Sequence, residues 1–165
     1  YSLYATWRPD DRLVLDLMFN YLDRSGWLLH SRDRTMGTFD AEQWAPGIGV
    51  EYFISAKQQL KFVVQWVGVK ARARDAYDIL DAPGHLQRRS DLDASVPDFA
   101  VSQVSLQGRY RWEIAPLSDL FVVYTRQSNQ SGLLLQRDFQ TIFSDSYQQP
   151  VTDAFVVKLR YRFGS

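Results

Sequence analysis

The sequence predicts an all-β fold, an antiparallel transmembrane β-barrel, from three observations. Apolar and polar residues alternate with a period of two along most segments. Aromatic residues make up 15% of the chain although its mean hydropathy is −0.30. No apolar run approaches the ~18 residues of a membrane helix. A barrel that crosses a bilayer explains all three, because it needs alternating polarity and aromatic girdles. A soluble β-sandwich explains them less well.

The alternation predicts about seven strands, at 1–8, 12–24, 38–55, 60–73, 99–115, 119–130 and 151–163. Short polar turns alternate with longer connections, as in outer-membrane barrels. Within the connection at 23–38, the segment from Gly26 to Arg34 is interpreted as an extension of one hairpin beyond the membrane, with its tip near Met36-Gly37. An odd number of strands leaves the first and last parallel, so they cannot close an antiparallel barrel alone. We therefore expect residues 1–165 to form a single barrel domain or barrel fragment, the C-terminal strands of a larger barrel, with further strands before Tyr1.

Composition excludes several kinds of function. The 19 basic and 19 acidic residues leave no net positive field, which argues against nucleic-acid binding. The lack of cysteine excludes thiolate metal sites and disulfides. His30 and His85 lie in separate predicted loops, and no histidine falls within a membrane strand to activate a serine. We expect no metal, no cofactor, no catalytic residue and no enzymatic activity.

One face of the predicted strands is strongly charged. Alternation places these residues opposite the apolar side chains, towards the lumen of a barrel: Glu51, Arg109, Arg111, Glu113, Lys158, Arg160 and Arg162. Inward charges tune the selectivity of such barrels, so this face is a candidate lining for an anion-selective pore. The alternative is that these side chains only neutralise one another in a wet lumen.

The aromatic residues of the apolar face gather near the strand ends. One group lies close to the short turns or the C-terminus, namely Trp7, Tyr52, Tyr110, Trp112, Tyr161 and Phe163. Tyr21, Trp44 and Phe155 lie near the opposite ends. Trp and Tyr favour the headgroup zone, so the pattern predicts two membrane-interface girdles. Packing in a soluble core is the alternative.

The last predicted strand resembles the outer-membrane assembly signal, a terminal strand of alternating apolar residues that ends in an aromatic. Its residues are Phe155, Val157, Leu159, Tyr161 and Phe163. An amphipathic strand with an unpaired edge can pair with the barrel-insertion machinery before the barrel closes. That machinery is therefore an expected partner during assembly.

The last third of the chain resembles an uncharacterised envelope family. The resemblance rests on Tyr110-Arg111-Trp112-Glu113, on the segment from Pro116 to Thr125, and on the segment from Phe155 to Phe163. The family is an outer-membrane barrel often preceded by a carbohydrate-binding family-nine-like module. The resemblance implies such a module and more barrel strands upstream, and it carries over no catalytic residue.

Together these features predict a protein of the bacterial outer membrane, in contact with outer-membrane lipid and lipopolysaccharide. The first functional hypothesis is porin-like transport, the passage of a solute, with the barrel also anchoring an upstream domain. The second is a structural subunit of an envelope complex, with a plugged lumen and an envelope protein partner. A soluble β-sandwich binding module is the third, and an outer-membrane hydrolase is the weakest.

Overall fold

The computed structural model describes residues 1–80, 84–92, 94–132 and 138–163, and most of these form β-strands. The strands are β1 (Ser2–Asp10), β2 (Leu13–Arg32), β3 (Thr35–Ser55), β4 (Gln58–Ile79), β5 (Leu86–Arg88), β6 (Phe99–Ala115), β7 (Ser118–Gly132) and β8 (Thr152–Arg160). One helix, α1 (Phe139–Gln148), lies between β7 and β8. The predicted all-β class is therefore confirmed.

The strands form a single antiparallel sheet in the order β1-β2-β3-β4-β6-β7-β8, and the short β5 pairs with the end of β4. The sheet is not closed into a barrel, because among the described residues β1 and β8 each pair on one side only. Every step along this order reverses the strand direction, so β1 and β8 run the same way. This agrees with the prediction that these strands cannot close a barrel by themselves.

Two-residue turns join the strands at one end of the sheet, at 11–12, 56–57 and 116–117. We call this the lower end. At the opposite, upper end, a two-residue turn at 33–34 joins β2 to β3, and the longer connections from β4 to β6 and from β7 to β8 begin. The alternation of short and long connections therefore holds, except at the tip of the β2–β3 hairpin.

The hairpin extension that the sequence predicts at Gly26 to Arg34 is present as the upper part of β2 and β3, but its tip is corrected. The strand pairing continues to Arg32 and Thr35, so the hairpin tip is at Asp33-Arg34 and not near Met36-Gly37. The pairing shifts between Arg24 and Trp27, around Gly26 with its φ of 70°. Such a bulge breaks the period of two, so the sequence pattern did not show how far the two strands pair.

Helix α1 was not predicted, because its apolar residues Phe139, Ile142 and Phe143 show a helical spacing over less than two turns of a mainly polar segment. The carboxylate of Asp138 accepts a hydrogen bond of 2.8 Å from the Thr141 backbone N–H and caps its first turn. Ile142 and Ser146, one turn apart, are its buried residues. These two side chains fix which side of the helix rests on the sheet.

The buried core lies in the upper half of the sheet as two clusters on opposite faces. Phe39, Ala41, Ala71, Ala76 and Val96 form the first, with Phe99 packed against it. The second cluster consists of Trp66, Val104 and Ile142, with Trp44 and Phe139 beside it. Neither cluster has a member below the row of Trp66 and Val104, so the lower part of the sheet carries no buried apolar cluster within the described residues.

Candidate functional site

One face of the lower sheet is apolar on all seven strands of the main order. Directly paired residues lie on the same face of a sheet, so the strand register defines this surface. It comprises Leu3, Ala5 and Trp7 of β1; Leu13, Leu15, Leu17, Phe19 and Tyr21 of β2; Trp44, Pro46, Ile48, Val50 and Tyr52 of β3; Leu60, Phe62, Val64, Trp66 and Gly68 of β4; Val104, Leu106, Gly108, Tyr110 and Trp112 of β6; Leu120, Val122 and Tyr124 of β7; and Phe155, Val157 and Leu159 of β8. We call this set the apolar belt.

The belt contains no charged residue, and much of it is open to the surroundings. Leu17, Leu60 and Leu159 are 52%, 41% and 61% exposed. Monomeric soluble proteins rarely expose contiguous apolar patches larger than a few hundred Å². A surface of this kind, spread over every strand of the sheet order, is one that lipid or another protein covers.

Charged residues mark the upper boundary of the belt on the same face. They are Asp23 of β2, Glu42 of β3, Lys70 of β4, Arg126 of β7 and Asp153 of β8, each next above the belt on its own strand. Arg126 and Asp153 form an ion pair of 3.2 Å. On β2, β3 and β4 these charges pair in one row, whereas Arg126 and Asp153 lie lower on the sheet, in the register row of Leu106 and Val64.

Most of the aromatic residues predicted at the interfaces lie near a margin of the belt. Trp7, Tyr52, Tyr110 and Trp112 are near the lower turns, and Tyr21 and Trp44 are at the upper boundary. Phe155 is the uppermost belt residue of β8, but the register places it in the same row as Trp7. Tyr21 and Trp44 pack edge to face, with ring centroids 5.3 Å apart. Tyr161 and Phe163 follow the end of β8 and pack against each other at 4.9 Å.

Helix α1 lies across the upper margin of the belt, over β4, β6 and β7. Ile142 is buried against Trp66 and Val104. Beneath the helix, the Trp66 indole N–H donates to Ser102 Oγ at 2.9 Å, and Ser146 Oγ donates to Ser102 Oγ at 2.6 Å. Both hydroxyls are fully buried and satisfied by this network, which fixes the height of the helix on the sheet.

The opposite, polar face carries the charged residues that the sequence assigned to a lumen. Glu51, Arg109, Arg111, Glu113, Lys158 and Arg160 all lie on it near the lower end. Arg162 follows the end of β8, where its backbone N–H donates to Ser118 Oγ at 3.0 Å. Register therefore brings six of these side chains to one surface and leaves Arg162 at its margin.

Asp119 holds two of the predicted cations. Arg111 contacts its carboxylate at 3.0 Å, and Arg160 binds the second oxygen. The Asp119 side chain is only 2% exposed, so this ion triad is where β6, β7 and β8 are joined on the polar face. Sequence analysis missed Asp119, because its partners are apparent only once the strand register is known.

The other charges of this face are less paired. Glu51 accepts a hydrogen bond from the Gln59 amide. Lys61 lies between Glu51 of β3 and Arg109 of β6, directly opposite each of them, and both cations are exposed. Lys61 and Arg109 repel each other, whereas the opposite charge of Glu51 offsets part of that cost. These side chains therefore form a band of mixed charge on the lower polar face.

Above the charges, the polar face becomes neutral. Amides and hydroxyls from β4, β6 and β7 line a shallow cavity of about 390 Å³, among them Gln65, Gln103, Gln127 and Asn129. These groups are donors and acceptors without net charge. The polar face therefore carries charges of both signs near its lower end and uncharged polar groups in its middle.

The upper end of the polar face is covered by residues 94–98, which we call the covering segment. Val96 is 2% exposed and lies against Gly37, where any larger side chain would meet it. The Ser31 hydroxyl donates to the Ser95 carbonyl at 2.6 Å, and the Ala73 backbone N–H donates to the Asp98 carboxylate at 2.6 Å. The covering segment is thus held over the polar face and not out in solvent.

The predicted assembly strand is the edge strand β8. Phe155, Val157 and Leu159 lie in the belt, whereas Tyr161 and Phe163 follow the strand end at Arg160. All three belt residues are more than half exposed, with 67% for Phe155. The strand offers an unpaired edge and an apolar face together, within the described residues.

Neither histidine has a chemical role that the structure supports. His30 contacts the Asp33 carbonyl at 2.9 Å at the hairpin tip, and His85 lies in the β4–β6 connection. Across residues 1–80, 84–92, 94–132 and 138–163, no group of three metal-ligating side chains comes together. In the same part of the chain, no helix is long and apolar enough to cross a membrane.

A family model described as Domain of unknown function (DUF5916) matches residues 1–163. The match covers nearly the whole chain, so the chain belongs to this family. The family is uncharacterised, as the resemblance implied, and the likeness extends well beyond the last third. Its link to outer-membrane barrels and to carbohydrate-binding modules stays a prediction. No curated protein and no solved structure matches the chain significantly.

Proposed function

We propose that this member of the DUF5916 family forms part of a β-barrel in the bacterial outer membrane. The apolar belt contacts lipid and lipopolysaccharide, and the polar face lines a lumen through which a solute passes. The barrel also anchors an upstream domain. The single observation that carries the proposal is the belt, uncharged on every strand and exposed over much of its area.

The dimensions of the belt support a membrane. Its segments run from 13 to 21 on β2, from 44 to 52 on β3, from 60 to 68 on β4 and from 104 to 112 on β6. A tilted transmembrane strand needs ~9–11 residues, which matches each of them. A charge near the midplane on the lipid face costs ~2–4 kcal/mol, which explains why charges begin only above the belt.

The free edges support a larger barrel. β1 and β8 run in the same direction and each has one unpaired edge among the described residues. Antiparallel closure therefore needs an odd number of further strands between them. An unpaired backbone edge is also what the insertion machinery would use to pair with β8 during assembly.

The polar face supports passage of a solute. Its lower zone carries exposed cations, Lys61, Arg109 and Lys158, and its middle zone carries neutral amides. Rings of charge tune which ions enter a barrel, and hydrogen-bonding groups accommodate polar solutes. The cations that are not bound to Asp119 favour anionic or polar solutes.

Fractionation of cell envelopes, followed by electrophoresis with and without heating, tests the barrel. We expect the complete gene product in the outer membrane, with a compact unheated band that shifts on heating. Conductance in planar bilayers then tests passage, and we expect discrete channels. A soluble periplasmic product contradicts the membrane proposal, whereas an outer-membrane protein without conductance contradicts passage alone.

The covering segment favours a second candidate function, a barrel that anchors an envelope complex and whose lumen is plugged. A Cβ at Gly37 would clash with Val96 and with the Phe39 ring on which Val96 packs, so we expect Gly37→Ala to loosen the covering segment on the polar face. Gly49→Ala is the control, because its Cβ would meet Asp16 at an ordinary 3.5 Å. A silent wild-type channel that opens in Gly37→Ala alone supports the plugged barrel. Equal conductance in all three proteins excludes the segment as a plug.

A further inference from the structure

An apolar groove of about 400 Å³ lies between helix α1 and the belt. Its helix side is formed by Phe139 and Phe143, and its sheet side by Ile48, Val64 and Trp66. Phe139 and Phe143 both pack edge to face on Trp66, with ring centroids 5.9 and 5.7 Å away. Gln140 is the one polar side chain that lines it among the described residues.

The groove is preformed by the sheet and does not depend on an occupant. The hydroxyl network of Ser102 and Ser146 holds α1 at a fixed distance from the strands. Gly68 leaves the space that the Trp66 ring fills, since a Cβ there would meet the indole at 2.5 Å. Its volume falls in the ~300–1,000 Å³ range of small-molecule sites, which are mostly apolar and largely preformed.

We propose that this groove binds an acyl chain of a membrane lipid, an inference that rests on the proposed lipid contact of the belt. The floor residues Ile48 and Val64 are themselves belt positions, so the groove is continuous with the surface assigned to lipid. An acyl chain can enter from the bilayer without leaving an apolar environment, and it needs no hydrogen bond from the residues that line the groove.

The upper end of the groove suits the headgroup side of a lipid. Lys70 lies one position above Gly68 on the same face, with its ammonium 4.4 Å from the centre of the Phe139 ring. A lysine in this position extends its apolar stem along the rings and keeps its charge at the polar boundary. Trp44, Trp66 and the two phenylalanines form the aromatic zone expected at that depth. The occupant therefore has an apolar chain below and a polar end above.

Quenching of tryptophan fluorescence by phosphatidylcholine with brominated acyl chains tests the proposal in reconstituted vesicles. Three proteins each keep one tryptophan: Trp66 in the groove, Trp112 at the lower belt margin, or Trp27 beside the Phe39 cluster of the polar face. We expect quenching of Trp66 and Trp112 and none of Trp27. Trp66 is only 8% exposed, so a bromine reaches it through the groove.

Variants that fill the groove distinguish quenching by a lipid chain inside it from quenching by the surrounding bilayer. Ile48→Phe narrows it from β3, and Val64→Phe narrows it from β4. Leu17→Phe is the matched control, because Leu17 is the belt neighbour of Ile48 but does not line the groove. We expect the first two to remove most of the quenching of Trp66, and Leu17→Phe to leave it unchanged. Trp112 should respond to none of them.

The outcomes distinguish a failure of the proposed lipid groove from a failure of the proposed membrane contact. Quenching of Trp112 without quenching of Trp66 overturns the lipid groove and leaves the lipid-facing belt intact. Unchanged quenching of Trp66 in both filled variants also overturns it, since the bromines then act from outside. If neither Trp66 nor Trp112 is quenched, the proposed lipid contact of the belt is wrong as well.

Discussion

At the scale of single residues, the fold depends on which face of a strand a side chain occupies. The sequence predicted the two faces correctly for most strands, because a period of two is visible without knowing which strands pair. It could not predict ion partners such as Asp119 with Arg111 and Arg160. Those contacts join three strands and depend on register, which composition does not encode.

Removing the carboxylate of Asp119 should loosen the end of the sheet. In Asp119→Asn, Arg111 and Arg160 lose their shared anion while the shape of the side chain stays. We expect the compact unheated band to convert at a lower temperature than in the wild type. Glu113→Gln is the control, since Glu113 is paired with Asp119 in the strand register but forms no ion pair that the described residues show. Equal conversion temperatures for the two variants would refute a structural role of the triad.

A charge placed in the belt should destabilise the membrane-inserted protein. Val64→Arg puts a guanidinium at the centre of the belt segment of β4, between Ile48 and Leu106, where lipid contact costs ~2–4 kcal/mol. Gln65→Arg places the same charge on the polar face of the same strand. We expect a loss of that size in the unfolding free energy for Val64→Arg in liposomes, and a change within about 0.5 kcal/mol for Gln65→Arg. Similar losses for both would contradict the assignment of faces.

At the scale of elements, the sequence predicted the strands better than the segments between them. A strand of alternating residues needs no partner to be recognised, whereas α1 owes its position to Ser102 and Trp66 on other elements. Its apolar residues Phe139, Ile142 and Phe143 follow a helical spacing, but over only ten residues of a mainly polar segment. The bulge at Gly26 interrupts the period of two in β2, so the position of the hairpin tip was predicted wrongly. The covering segment became apparent only from the burial of Val96.

Helix α1 should weaken in acid because of its N-cap. Hydrogen bonds from the Thr141 side chain and backbone lower the pKa of Asp138, with a smaller contribution from Lys70. A carboxyl whose pKa is lowered on folding stabilises the fold above its unfolded pKa of ~3.9 and loses this effect as the pH falls through the folded value. We expect the emission of a Trp66-only protein to shift as the pH falls below about 4.

Asp138→Asn provides the control for this titration. Asparagine is a good N-cap residue, so the helix keeps its cap while the titrating group is lost. The emission of Trp66 should then be independent of pH over the same range. A shift that persists unchanged in Asp138→Asn would assign the acid response to another group.

At the scale of the whole molecule, the sheet order follows the chain order, which made the topology predictable. Each strand of the main order pairs with its neighbour along that order, so short turns and strand parity were enough to foresee an open sheet with parallel first and last strands. The sequence did not predict the segments that cover the two faces of the sheet. The helix on the apolar face and the covering segment on the polar face both come from long connections, in which the alternation with a period of two is absent.

The measurement that tests the account most directly is the accessibility of spin labels along β6. The chain has no cysteine, so single cysteines from 105 to 112, below the residues that helix α1 covers, can be labelled one at a time in the reconstituted protein. Collision with oxygen reports lipid, and collision with a nickel chelate reports water. We predict a period of two, with oxygen favoured at 106, 108, 110 and 112 and the chelate favoured at 105, 107, 109 and 111. Chelate access at the belt positions equal to that at their neighbours would contradict a lipid-facing belt.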